Sequence, residues 1–222
     1  MIQSMEFLFQ EKKLVVPVAS VLAAGYTGRD QQHVQEHVTE LEEQGIAPPP
    51  HVPMLYPVMP TLLSNSENIA VLGPNSTPEI EVAIVEFEGE QYVTVASDQT
   101  DREIEAASVP QSKNACPKIV GVELWLVDDV LPHWDSLQLR SSSSGTLLQE
   151  GTLGMLLPLD EILAFADKHA GPQANRVLLS GTVPTLAVPS REGATILLEL
   201  HDPVTGKSLT HSYTVHVMNE FF

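Results

Sequence analysis

The chain has 222 residues, with 29 Asp and Glu against 11 Lys and Arg, a formal net charge of −18. Hydrophobic residues make up 43% and charged residues 18%, ample for a packed core and too apolar for a disordered acidic tail. The acidic balance argues against nucleic acid and anionic membranes as partners, since clustered Lys and Arg hold both.

The length suggests one domain over residues 1–222, with an N-terminal strand region at 1–24 ahead of a core at 25–222. Cys116 has no cysteine to pair with, and MIQSMEFLFQEKK carries no signal-peptide pattern. No apolar run is long enough to span a membrane. The expectation is a cytoplasmic protein.

Stretches rich in Val, Ile, Leu and Thr predict strands at Leu14–Ala24, Ile80–Phe87, Gln91–Ala96, Ile119–Val127, Ser136–Leu139, Arg176–Ser180, Ala194–Leu200 and Ser208–Met218. Glu88-Gly89-Glu90 reads as a short hairpin, and Asp202 to Gly206 as a second turn. The prolines of residues 46–61 exclude helix interior and central strand, so that segment should cross the surface extended. Ser141 to Ser144 before Gly145 reads as a turn.

Helices are expected over Asp30–Gln44, where Val34, Val38 and Leu41 share a face, and over Pro158–His169. Thr100 to Glu103 fits a capping box opening a short helix to about Ser108. The fold class is α+β, predominantly β, with two or three short helices.

Pro78-Glu79-Ile80-Glu81-Val82-Ala83-Ile84 puts Glu79 and Glu81 on one strand face, about 6–7 Å apart, with Ile80, Val82 and Ile84 opposite. Paired carboxylates repel unless a proton or divalent cation lies between them, and hard oxygen ligands suit Mg²⁺, Mn²⁺ or Ca²⁺. The plain alternative is a half-exposed strand with solvated glutamates. Asp98 follows the next strand, either as a third ligand or as a turn aspartate. His37/Glu40 and His33/Glu36 are spaced i, i+3 on the Asp30 helix, His37 lying nearer the apolar stripe. Each pair is a candidate general-base dyad or an ordinary surface pair. Gly206-Lys207-Ser208 fails as a phosphate loop because His201 stands where its first glycine is required.

In order, His37-Val38-Thr39-Glu40-Leu41, Glu79-Ile80-Glu81, Ser97 to Glu103, Lys113 to Pro117, Gln149-Glu150-Gly151-Thr152 and Ser180 to Pro184 resemble the motifs of the fumarylacetoacetate hydrolase superfamily. The resemblance runs from about Gly25 to about Leu200.

It implies a mixed β-sandwich roll, usually dimeric, with Mg²⁺ or Mn²⁺ (or Ca²⁺) on Glu79, Glu81 and Asp98. Lys113 would approach the substrate, with Arg102, Gly181, Thr182 and Thr152 holding its carboxylate and His37/Glu40 activating water. The implied chemistry is cleavage of a small anionic 2-oxo acid or 1,3-dicarbonyl acid through a metal-stabilised enolate. Dehydration, isomerisation or decarboxylation of a 2-oxo acid, or a non-catalytic binding role, are the alternatives. The chain departs from the family at Ser97, at Glu103, at Ala115-Cys116 and near Pro53–Val58, where no lysine is present.

Overall fold

The computed structural model describes residues 2–43, 48–188 and 193–218, without the side chains of His37, Glu40, Leu41 and Glu43. Two mixed sheets face each other. In the eight-stranded sheet the order is Met54–Val58, Ser20–Gly25, Arg176–Leu179, Ile80–Phe87, Glu90–Asp98, Lys118–Val120 and Leu63–Ser64, with Trp125–Leu126 also paired to Glu90–Asp98. In the five-stranded sheet it is Thr146–Thr152, Gln138–Ser143, Thr195–Asp202, Lys207–Met218 and Asn68–Leu72. This is the expected β-rich α+β architecture.

Side-chain alternation explains the layers. Ile80, Val82, Ile84, Val93 and Val95 point between the sheets and pack with Leu139, Ile196, Leu198 and Tyr213, while helix Leu159–Ala170 adds Leu159, Ile162 and Ala166. Ala83, Val85, Tyr92 and Ala96 point the other way, onto Met5, Phe7, Val16 and Val18 of the hairpin Gln3–Phe9/Lys12–Val18. The strand Ile80–Phe87 is therefore covered on both faces, and the half-exposed alternative is overturned. The Tyr213 hydroxyl ties the sheets together, 2.9 Å from Ser97 Oγ and 3.0 Å from Gln99 Oε1.

Several local expectations shift, each for a physical reason. Residues 54–58 form an edge strand against Ser20–Gly25, where Pro57 needs no donor on the open side. Ser141 to Ser143 stay in strand, and the turn comes at Ser144 and Gly145, whose φ values are +49° and +81°.

The stretch expected as one strand at Ile119–Val127 breaks into Lys118–Val120, Trp125–Leu126 and a helix Val127–Val130. At Gly121 a Cβ would come within 2.5 Å of Thr94 Oγ1, so the chain passes too close for a side chain. Helix Arg102–Ala107 is capped by Asp101, whose carboxylate accepts from the N–H groups of Glu103 (3.0 Å) and Ile104 (2.9 Å). Thr100 is thereby released to point inward. Helices Val109–Lys113 and Val127–Val130 exceed the two or three expected. Among the described residues, no helix is long and apolar enough to cross a membrane.

Phe7 is fully buried against the second sheet face. Phe7→Ala should cost about 3–5 kcal/mol with an unchanged m-value, read by urea denaturation. A loss below about 1 kcal/mol would mean that the hairpin does not cover that face.

Candidate metal centre

The site is a row across neighbouring strands. Glu79 lies opposite Asp98, whose N–H donates to the Glu79 carbonyl at 2.9 Å. Asp98 pairs in register with Lys118, and Glu81 lies beside Gly181, which follows strand Arg176–Leu179. Alternation turns Glu81, Asp98 and Lys118 to the face that carries Ala83, Ala96 and Val120, at its end. Glu79, Glu81 and Asp98 each offer an oxygen within 4.8 Å of the others. Glu81 is 1% exposed and Asp98 fully buried.

Three cations compensate these acids. Lys113 Nζ lies 2.6 Å from Asp98 Oδ2 and 2.9 Å from Glu79 Oε2, and donates to Thr100 Oγ1 at 3.2 Å. Lys118 Nζ lies 2.8 Å from Asp98 Oδ1 and donates to the Gln99 carbonyl at 2.5 Å. Arg102 spans Glu79 Oε1 (3.0 Å), Glu105 Oε2 (2.7 Å) and Thr77 Oγ1 (2.6 Å).

The electrostatics separate the two glutamates. Burial works against the charge on Glu79, but Lys113 and Arg102 beside it hold its carboxyl well below the usual range. Burial and the neighbouring Asp98 charge push Glu81 well above that range, only partly offset by Lys113 and the Gly181 N–H. For Lys113, burial is outweighed by Glu79, Asp98 and Glu81, which raise it well above an ordinary lysine.

The expected residues divide. Gly181 donates its N–H to Glu81 Oε2 at 2.8 Å; its φ is +86°, and a Cβ there would meet Thr27 Oγ1 at 2.1 Å. Thr182 donates to the Ile80 carbonyl (2.6 Å) and accepts from Gln149 Nε2 (2.8 Å), so its hydroxyl braces the strand. Thr152 pairs with Gln138 and makes no hydrogen bond to the cluster among the described residues. Gln149, three residues earlier, is the one that reaches in, accepting from the Ile80 N–H at 2.8 Å.

His33 is exposed, 3.8 Å from Glu36, as a surface pair. The side chains of His37 and Glu40 lie outside the described residues.

Lys118 and Glu105 beside the site were not singled out from sequence, while Thr100 was read as a helix cap and Gln149 only as part of a motif. Lys118 alternates with Val120 on its strand, but its place beside Asp98 is set by cross-strand register, which no local pattern reports. Tyr26, at φ +58°, and Tyr56 stand beside the cluster; burial raises both phenols, with Glu105 raising Tyr26 further and Lys113 opposing. A cavity of about 540 Å³ adjoins Arg102, lined by Asn75, Thr77, Gln99, Ile196 and Val215, but the three carboxylates do not line it.

The donor set fits a hard divalent cation, being all oxygen and convergent. Asp98 Oδ2 also receives no aligned hydrogen bond, so its contact with Lys113 is an ion pair with a lone pair left over.

Residues 24–213 match the family model described as "Protein of unknown function (DUF2848)". No curated protein matches the chain significantly. Among solved structures, a fumarylacetoacetate hydrolase family protein from yeast aligns with TM-score 0.64 and 15% identity, covering 90% of this chain and 94% of that one.

A 5-carboxymethyl-2-hydroxymuconate delta-isomerase from Mycobacterium smegmatis aligns with TM-score 0.67, 17% identity and coverage of 95% and 82%. A 2-keto-3-deoxy-D-arabinonate dehydratase aligns with TM-score 0.66, 17% identity and coverage of 94% and 77%. The fold is that of the fumarylacetoacetate hydrolase superfamily, as the motifs implied.

Because the folded pKa of Glu81 is raised, its contribution to stability is present below the unfolded carboxyl pKa of about 4.5 and is lost as pH climbs. In EDTA, Glu81→Gln should therefore match wild type near pH 4 and be the more stable of the two at pH 7.5, read by urea melts. A variant less stable at both pH values would contradict the assignment.

Proposed function

The chain belongs to the DUF2848 family, and we propose that it is a divalent-metal-dependent enzyme acting on a small 2-oxo or 1,3-dicarbonyl acid, with hydrolytic or lyase cleavage first. The observation that carries this reading is the convergence of Glu79, Glu81 and Asp98 within 4.8 Å in this fold. Those three residues would hold Mg²⁺ or Mn²⁺, which as a Lewis acid would polarise the oxygens of a 2-oxo acid.

The remaining groups have separable tasks. Gly181 N–H orients Glu81, and Lys118 fixes Asp98 from its far oxygen. Arg102 is spent on Glu79, Glu105 and Thr77, so it aims a ligand residue rather than gripping substrate. Lys113 Nζ, paired with Glu79 and Asp98 as it stands, is assigned to a substrate carboxylate once metal has taken those oxygens. Proton transfer to water is assigned to His37 with Glu40, on the helix Gln31–Glu43. The working unit is taken to be a homodimer.

The dehydratase and the isomerase of the same fold keep dehydration or isomerisation of a 2-oxo acid as neighbouring chemistries. A ligand-binding role without turnover is favoured by one observation: Lys113 lies directly on two of the proposed ligand carboxylates.

Calorimetry with Mn²⁺ on wild type and Glu81→Ala tests the site; binding is expected for the first and a loss of at least about tenfold for the second. Equal binding by both sinks the metal assignment. A panel of acylpyruvates, oxaloacetate and deoxy-2-oxo acids with Mn²⁺ then tests turnover. If none reacts while one raises the melting temperature, the binding role replaces the enzymatic one.

A further inference from the structure

Lys113 does not stand at the edge of the carboxylate triad; it stands on it. Of its three polar contacts, two are to Asp98 Oδ2 (2.6 Å) and Glu79 Oε2 (2.9 Å), and the third is to Thr100 Oγ1 (3.2 Å). An ammonium at these distances and a divalent cation on the same oxygens would repel strongly in a buried site. We propose that Lys113 is a built-in counter-cation that competes with the divalent metal for Glu79 and Asp98, so that metal entry displaces its ammonium. This rests on the reading of the triad as a metal site.

The neighbouring cations are placed differently. Lys118 is fully buried and takes the opposite oxygen, Asp98 Oδ1, together with the Gln99 carbonyl, leaving Oδ2 uncontested. Arg102 takes Glu79 Oε1, not Oε2, and is anchored by Glu105 and Thr77. Lys113 alone among these three bridges two carboxylates of the triad.

Its side chain is 10% exposed and carried on a flexible four-carbon stem at the end of a five-residue helix, so moving its ammonium needs no shift of the strands that carry the triad. Tyr26 and Tyr56 both lie near enough to feel its charge. Two consequences follow from one side chain. Metal affinity is held down by the cost of moving the ammonium, and the ammonium becomes free for an anionic ligand only once metal is in.

The test uses Mn²⁺ alone, titrated by calorimetry into wild type, Lys113→Gln and Lys118→Gln. Lys113→Gln should bind Mn²⁺ about tenfold more tightly or better, whereas Lys118→Gln should not gain affinity. In parallel, acetic anhydride labelling of wild type, read by mass spectrometry, should rise at Lys113 when Mn²⁺ is added and stay unchanged at Lys118.

Wild type that binds Mn²⁺ while Lys113→Gln binds equally or more weakly overturns the proposal and leaves the metal reading standing. If Lys113→Gln does not fold, labelling at Lys113 that fails to rise with Mn²⁺ overturns it instead. Wild type that binds no Mn²⁺, with a variant that binds none or does not fold, removes the metal reading and this proposal with it. Wild type that binds none while Lys113→Gln does supports the competition outright.

Discussion

Two carboxylates, Glu81 and Asp98, sit inside a sheet whose faces are both covered, and a buried negative charge survives only where cations and donors replace the water it lost. The surrounding structure follows from that need. Lys118 takes one oxygen of Asp98 and Lys113 approaches the other; the Gly181 N–H answers Glu81, and Arg102 with Lys113 answers Glu79. Removing one cation would leave an uncompensated buried acid, which typically costs about 3–5 kcal/mol. The cluster is thus a constraint on folding before it is a site. Residues with no chemical role, such as Thr27 beneath Gly181 and Gln149 beneath Ile80, are held by the geometry it demands.

Much of this was legible in the chain, for a definite reason. Alternation in Ile80–Ile84 is a local property, so the placing of Glu79 and Glu81 on one face and Ile80, Val82 and Ile84 on the other could be read directly. What alternation cannot report is who covers the second face. That depends on Phe7 and Val16, more than sixty residues earlier, and their hairpin was only partly expected.

Lys118 was hidden by the same limit: its pairing with Asp98 is a matter of strand register, and register is set across the sheet. Thr152 was singled out by motif order, yet the strand Thr146–Thr152 delivers Gln149 to Thr182 instead. Thr100 and Asp101 differ by one position as helix caps, and that single step turns the Thr100 hydroxyl from a cap into a partner of Lys113.

The charge balance acquires a sharper meaning in this light. Counted as fully ionised, Glu79, Glu81 and Asp98 match Arg102, Lys113 and Lys118, so these six residues sum to zero and the formal −18 of the chain lies on the rest of the molecule. A surface of that sign draws divalent cations toward the protein and holds anions off. A neutral cluster cannot reverse that field for an anionic substrate, because its own cations are already committed to its acids. One divalent cation added to the same residues makes the cluster formally +2 and frees an ammonium. Attraction for an anion then arises locally, inside a molecule that otherwise repels it. On the proposed function, charge alone would order the binding: cation first, drawn by the surface, and anion second, drawn by what the cation had changed.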